Sequence, residues 1–330
     1  MSVTTNETPT RSESAAPPGL PAPAQRRGFF AAGHHIPYAL ILPAAAVLLG
    51  IMAYPLFRLF DLAFQNINRY AYIVNPSLGK YIGFEGFGKI LGDGQFWDVV
   101  LRSLYFTAEL VILSMVLGML FALLLNRVSN WVKVTVITVM MFVWAIPALV
   151  SGTVFRWLFA SNGGVVDYIG FLLTGDESVK HYDWFGDPTV GLYVVCASVI
   201  IWGALPFLVL GLNAALTQVP KELMEAAKLD GAGALQSFRH VVIPVIRPFL
   251  LVTTALSFIW DFQVFAQIFS IRNTSPEDGY WTIGIYLYEK GIVASKYSDS
   301  SVISIAMILL MLAVLVFYIR QMLKIGANER

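Results

Sequence analysis

The order of apolar and polar positions divides this chain of 330 residues into six long apolar runs joined by polar connections. The runs cover residues 36–64, 99–125, 134–159, 190–216, 249–271 and 302–319. A helix needs about 20 predominantly apolar residues, within a range of roughly 17–25, to cross the hydrocarbon core of a bilayer. All six runs are long enough. The fourth is the clearest, because no residue from 189 to 219 is charged. Lipid offers the backbone no water to bond, so such runs satisfy their N–H and C=O groups as helices. The pattern predicts an all-α, polytopic membrane protein with six transmembrane helices.

Residues 1–33 differ from the rest. They are rich in Pro, Ser, Thr and Ala and carry too little apolar surface to fold alone. We expect a disordered tail there, ahead of a membrane domain over 34–330. Glu7, Glu13, the length of the tail and the length of the apolar run behind it argue against a signal peptide.

Lysine and arginine placement sets the expected orientation. With a cytoplasmic N-terminus, the inner segments carry twelve basic residues: Arg11, Arg26, Arg27, Arg127, Lys133, Lys221, Lys228, Arg239, Arg247, Arg320, Lys324 and Arg330. The outer loops carry seven: Arg69, Lys80, Lys89, Lys180, Arg272, Lys290 and Lys296. Both termini are therefore expected inside, as is the loop between the fourth and fifth runs.

Composition agrees with lipid as the main solvent. The chain is 57% hydrophobic and 13% charged, with a mean hydropathy of +0.68. Soluble domains carry about 25% charged residues. A net charge of +1 gives no reason to expect a nucleic-acid partner. Cys196 lies inside an apolar run and reads as a small buried residue. The four histidines are scattered, and no Cys or His stands at metal-ligand spacing.

No enzyme centre is visible either. The stretch GFEGFGKI, 83–90, fits G-x-x-x-x-G-K, but Ile90 stands where a phosphate loop needs a Ser or Thr hydroxyl for Mg²⁺. The stretch also falls in an expected outer loop. We find no paired carboxylates, Ser–His–Asp or Cys–His arrangement. Energy for any transport must come from a partner or an ion gradient.

The loop between the fourth and fifth runs is compact and charged. Pro220 suits a helix start. Glu222 and Glu225 lie toward the N-terminal end and Lys228 toward the C-terminal end, as the helix dipole favours. Gly231 and Gly233 are expected to end the helix. The pattern predicts a helix over 220–230, about 16 Å long, then a second short helix over 234–242 that stops near Pro244. Leu223, Ala226, Ala227 and Asp230 share one side of the first helix. By physics alone this loop could equally lie on the lipid headgroups.

The fifth run carries an ionisable group at mid-depth, Asp261, which is a functional candidate by default. Ser257, Trp260, Asp261 and Gln267 share a helical side, with Gln263 off it. Aromatic faces with polar side chains suit a sugar. Each of these residues also has a structural alternative, such as packing on a neighbouring helix or pairing with a partner subunit. Pro206 in the fourth run could break that helix beside a cavity. Arg102 and Glu109 in the second run lie seven residues apart, about 10 Å along a helix axis, too far to pair directly.

The stretch VPKELMEAAKLDGAGALQSFRHVVIPVIRP, 219–248, closely resembles the EAA loop of ABC importer permeases. Glu225-Ala226-Ala227 and Gly231 match its pattern, and Val241, Ile243 and Pro244 follow at its spacing with mild departures. Residues 82–107 resemble the segment leading into the core of carbohydrate permeases of the maltose-transporter type, with Gly86 and Arg102 at its two Asn positions. WFGDPT, 184–189, resembles that family's approach to the fourth span. The resemblance covers about 36–324. It implies a type I importer transmembrane domain with its core at 98–320 and its coupling loop at 217–248.

The resemblance also implies a permease subunit in the cytoplasmic membrane of a prokaryote. It would pair with a second homologous permease, a dimer of ATPase subunits and an extracytoplasmic solute-binding protein. ATP and Mg²⁺ would belong to the ATPase, and this chain would bind no cofactor of its own. Glu222, Glu225, Ala226, Ala227, Asp230 and Gly231 would couple to the ATPase. Gly203, Ala204 and Phe207 of the fourth span, with Ser257, Trp260, Asp261, Gln263 and Gln267 of the fifth, would line the path of a di- or oligosaccharide. One departure stands out: the family's Gly-Gly-Pro after the fifth span is missing, and only Pro276 in IRNTSPEDGYW is similar. The competing expectation is an ion-coupled carrier or channel acting alone, with Asp261 and Glu109 as ion sites. It leaves the 219–248 stretch unexplained.

Overall fold

The structure, a computed structural model, describes residues 35–68, 74–75 and 79–328. The tail expected over 1–33 lies outside the described residues. Contacts divide the chain between Leu56 and Phe57 into two units. The described part of the first is residues 35–56 of helix α1, His35–Ala63.

The second unit starts with the end of α1 and a two-residue antiparallel pair, β1 (Gln65–Asn66) on β2 (Lys80–Tyr81), with Gln65 opposite Tyr81. Helices follow: α2 (Glu85–Leu91), α3 (Gly94–Leu125), α4 (Asn130–Trp144), α5 (Ala148–Leu158), α6 (Val165–Thr174) and α7 (Pro188–Leu216). The chain continues through α8 (Lys221–Leu229), α9 (Ala234–Ser237), α10 (Ile243–Phe262), α11 (Ala266–Ile271), α12 (Ile283–Tyr288) and α13 (Tyr297–Asn328).

Local chemistry sets the helix starts. The Asp93 carboxylate accepts from the N–H of Gln95 at 3.0 Å and caps α3. Asp187 does the same for Thr189 at 2.8 Å, with Pro188 in the first turn of α7. The core forms where α3 crosses α7, with Phe106, Leu110, Leu192, Val195 and Ile268 buried together. Cys196 is buried there as a free thiol. Tyr105, Trp131, Phe142 and Leu323 stay exposed, a surface suited to lipid.

Among the described residues, five helical stretches are long and apolar enough to cross a membrane: Leu40–Ala63, Gly94–Leu125, Pro188–Leu216, Ala234–Ile271 and Tyr297–Lys324. The expected third span is not straight. Its halves, α4 and α5, meet at 102°. Pro147 explains the break, since it disfavours helix for Ile146 before it and then starts α5, accepting from the N–H groups of Val150 and Ser151.

Three other expectations need correction. Pro206 does not break the fourth span; it lies inside a continuous helix, as membrane helices tolerate when neighbours pack around them. The helix after Gly233 does not stop near Pro244. It runs on through a wide π turn, Phe238–Val242, into α10. The Ile243 N–H bonds back to the Phe238 carbonyl, a five-residue step that loosens the turn where the Pro244 ring needs room. Finally, the fifth span is interrupted after Phe262, and helix resumes at Ala266.

Candidate functional site

The bend of α4 and α5, the middle of α7 and the interruption after α10 face one another around a cavity of about 520 Å³. That volume is within the roughly 300–1,000 Å³ of small-molecule sites. All eight residues expected along a substrate path line it: Gly203, Ala204, Phe207, Ser257, Trp260, Asp261, Gln263 and Gln267.

The wall is aromatic with polar insertions. The Phe207 ring sits 5.1 Å from that of Trp260 and 6.4 Å from that of Trp144. Trp260 remains 49% exposed beside Phe207, whereas Asp261 is only 7% exposed. The Asp261 Oδ2 is buried without a hydrogen-bond partner. At Gly203, an added Cβ would meet nothing within 4 Å. The absent side chain there leaves room in the cavity.

Interrupting the helix is what brings Gln263 into this set. In an unbroken helix Gln263 lies off the face of Ser257, Trp260 and Gln267. In the structure the backbone turns at Gln263, and Val264 donates its N–H to the Asp261 carbonyl at 3.3 Å. The Thr282 hydroxyl donates to the freed Val264 carbonyl at 3.4 Å. On the opposite wall, α5 and α11 touch closely, since a Cβ on Gly152 would fall 1.9 Å from the Ser270 Oγ.

Sequence reasoning missed Trp144, Ser151, Trp202 and Phe265, which also line the cavity. The available signal was Ile146-Pro147. Reading it as a bend would have turned the third span toward the fourth.

The other predicted set lies on the 217–248 loop. Pro220 caps α8 from just outside, with extended backbone. Gly231 takes φ +81. Its N–H bonds to the Lys228 carbonyl at 3.0 Å, and that of Ala232 to the Ala227 carbonyl at 2.9 Å. This is a Schellman motif, which requires a left-handed residue where Gly231 stands. Gly233 does not end α8; it opens α9, with its N–H bonded to the Gln236 Oε1 at 3.0 Å. Glu222, Glu225, Ala226, Asp230 and Gly231 are exposed and Ala227 is half-buried. Leu229 and Leu235 flank the turn at 89% and 79% exposure, a pair of bare apolar side chains that sequence reading passed over.

A continuous helix starts just past the Gly231 turn and reaches the cavity. From Ala234 the chain stays helical to Phe262, and Asp261 lies about 27 Å along the axis from Ile243.

The loop that lacks Gly-Gly-Pro is tied down in another way. Arg272 makes a two-pronged ion pair with Glu277, one contact of it 2.8 Å, and stacks on the Tyr280 ring at 4.4 Å. These hydrogen bonds hold the Glu277 carboxyl below its ordinary range. Arg102 does not meet Glu109; it donates to the carbonyls of Asp278 and Trp281.

The family model described as "Binding-protein-dependent transport system inner membrane component" matches residues 114–324. The chain belongs to this family. It is a multi-pass inner-membrane protein with the fold of ABC transporter transmembrane domains. Among family relatives, the diacetylchitobiose uptake system permease protein DasB of Streptomyces coelicolor is 36% identical over 298 residues, covering 90% of each chain. The arabinooligosaccharides transport system permease protein AraP of Halalkalibacterium halodurans is 31% identical, covering 92% of this chain and 91% of the relative. A solved bacterial ABC transporter involved in import of the acidic polysaccharide alginate has the same fold, with a TM-score of 0.72 at 20% identity, over 88% of this chain and 95% of that one. A second alginate transporter structure, in complex with a pentasaccharide-bound periplasmic protein, gives 0.71 at 21% identity, over 89% and 96%.

Proposed function

We propose that this chain is the permease subunit of an ATP-driven ABC importer that carries a di- or oligosaccharide inward by alternating access. Both termini face the cytoplasm, in agreement with the lysine and arginine bias. A separate ATPase pair docks on α8 and the Gly231 turn. A second homologous permease completes the path, and an extracytoplasmic binding protein delivers the sugar.

The observation that supports this reading is an exposed helix and turn at the start of the helix that runs from Ala234 to the cavity. At one end is an exposed helix closed by Gly231, with bare Leu229 and Leu235 beside it. At the other is an aromatic cavity with hydroxyl, amide and carboxyl groups. Helix-in-groove docking suits the first, and stacked rings with hydrogen-bonding side chains suit a sugar in the second. The names of DasB, a diacetylchitobiose uptake system permease, and AraP, an arabinooligosaccharides transport system permease, agree with it. This chain forms no covalent intermediate and hydrolyses nothing; nucleotide and Mg²⁺ belong to the ATPase.

A second reading draws on Asp261 Oδ2 and Glu109 Oε2, both buried without partners: an ion-coupled carrier working alone. Reconstitution separates the two. Proteoliposomes holding the chain and its partners should take up sugar only with the ATPase and ATP present, and Glu225→Arg should abolish both uptake and sugar-stimulated hydrolysis. Uptake without the ATPase would establish the carrier instead.

A further inference from the structure

The cavity has a one-sided charge. Among the described residues, Asp261 is the sole acidic one that lines it, and no Lys, Arg or His does. Asp261 is 93% buried by its 7% exposure, yet Oδ2 has no donor. Buried polar atoms are normally satisfied, and a buried carboxylate without a donor is costly. The hydroxyl of Ser151 on the facing wall is committed to the Ala148 carbonyl at 2.9 Å. Neither Ser257, Gln263 nor Gln267 bonds to Oδ2. Among the described residues, no side chain of the cavity wall supplies that donor.

Hydroxyl and ammonium groups can donate to a carboxylate that lines the cavity. Ionised acid groups cannot, and like charges repel strongly where water is scarce. The aromatic wall acts in the same direction. The faces of Trp144, Phe207 and Trp260 carry negative potential and attract cations. We infer that Asp261 makes this cavity select neutral and amino-bearing saccharides and reject those that carry a carboxylate, sulfonate or phosphate. The inference rests on the carbohydrate reading and adds a specificity-determining residue to it.

The test uses the assembled transporter in nanodiscs without its binding protein, so that delivery imposes no selection of its own. Quenching of indole fluorescence reads occupancy, since Trp144, Trp202 and Trp260 line the cavity. Three disaccharides of one shape serve as probes: cellobiose, the β-1,4 glucosamine disaccharide and cellobiouronic acid. The unsubstituted complex should bind the amino disaccharide at least about tenfold more tightly than the acidic one, with cellobiose between, as expected for a hydrogen bond to a charged group. Asp261→Asn should reduce that ratio to about threefold or less.

Equal binding of the acidic and amino probes by the unsubstituted complex overturns the inference without any variant. That result is expected if a cation from the second permease neutralises Asp261. An unchanged ratio in Asp261→Asn also overturns it. If cellobiose quenches but charge makes no difference, only this inference fails. If no probe quenches, the carbohydrate reading fails and takes the inference with it.

Discussion

Gly231→Ala tests the turn that closes the exposed helix α8. Gly231 sits at φ +81, and an added Cβ would meet nothing within 4 Å. The penalty is therefore purely one of backbone conformation. Holding an L residue in the left-handed region costs about 1–2 kcal/mol. That shifts the closed turn against its open forms by a factor of about 5–30. The turn carries both Schellman hydrogen bonds and sets the angle between Leu229 and Leu235. We expect sugar-stimulated ATP hydrolysis and uptake in proteoliposomes to fall by up to that factor, with little change in thermal stability. Amide exchange at Gly231 and Ala232 should rise in parallel. Gly233→Ala is the internal control, because Gly233 has an ordinary φ of −69 and should tolerate the methyl. Gly231→Asn should be milder than Gly231→Ala, since Asn tolerates the left-handed region. Faster exchange in Gly231→Ala with full coupling would refute the role given to the turn. Equal damage from Gly231→Ala and Gly233→Ala would refute the conformational argument.

Three further substitutions probe the cavity and the outer loop. Gly203→Leu should block uptake without lowering Tm, because the new side chain enters open space; a normal uptake rate would show that the path lies elsewhere. Gly152→Ala should lower Tm and uptake together, since its Cβ would fall 1.9 Å from the Ser270 Oγ and overpacking costs about 1–3 kcal/mol; an unchanged melting curve would contradict that contact. Glu277 has its carboxyl held down by Arg272, so the ion pair steadies the loop above the ordinary glutamate range. That contribution is lost as pH falls through the lower, folded value. Amide exchange over 272–281 should accelerate below about pH 4, and Glu277→Gln should remove the pH dependence.

The sequence was most informative where one periodic signal dominated. The long apolar runs became helices because lipid leaves the backbone no alternative, and the charge pattern of 220–230 became α8 within a residue at either end. Ser257, Trp260, Asp261, Gln263 and Gln267 were also legible, as polar or aromatic groups in an apolar span, whereas Gly203, Ala204 and Phe207 followed only from the family resemblance. What escaped were events at single residues that depend on neighbours. Pro147 bends its span by 102°, while Pro206 leaves its helix continuous and Pro244 is absorbed by a π turn. One residue type gave three outcomes, decided by packing around each proline. The interruption at Gln263 depends on Thr282, nineteen positions later, meeting the Val264 carbonyl. Leu229 and Leu235 read as ordinary apolar positions in sequence, and only the fold reveals that nothing among the described residues covers them.

The most direct test of ATP-driven access uses a single cysteine at the cavity wall. Gly203→Cys places a thiol in open space, and the native Cys196 is fully buried, so the chain without the substitution serves as the labelling control. In the assembled transporter, a membrane-impermeant thiol reagent added from outside should label that site faster once the ATPase binds ATP. Adding Glu225→Arg should abolish the acceleration. A labelling rate that is the same with and without ATP would contradict the account.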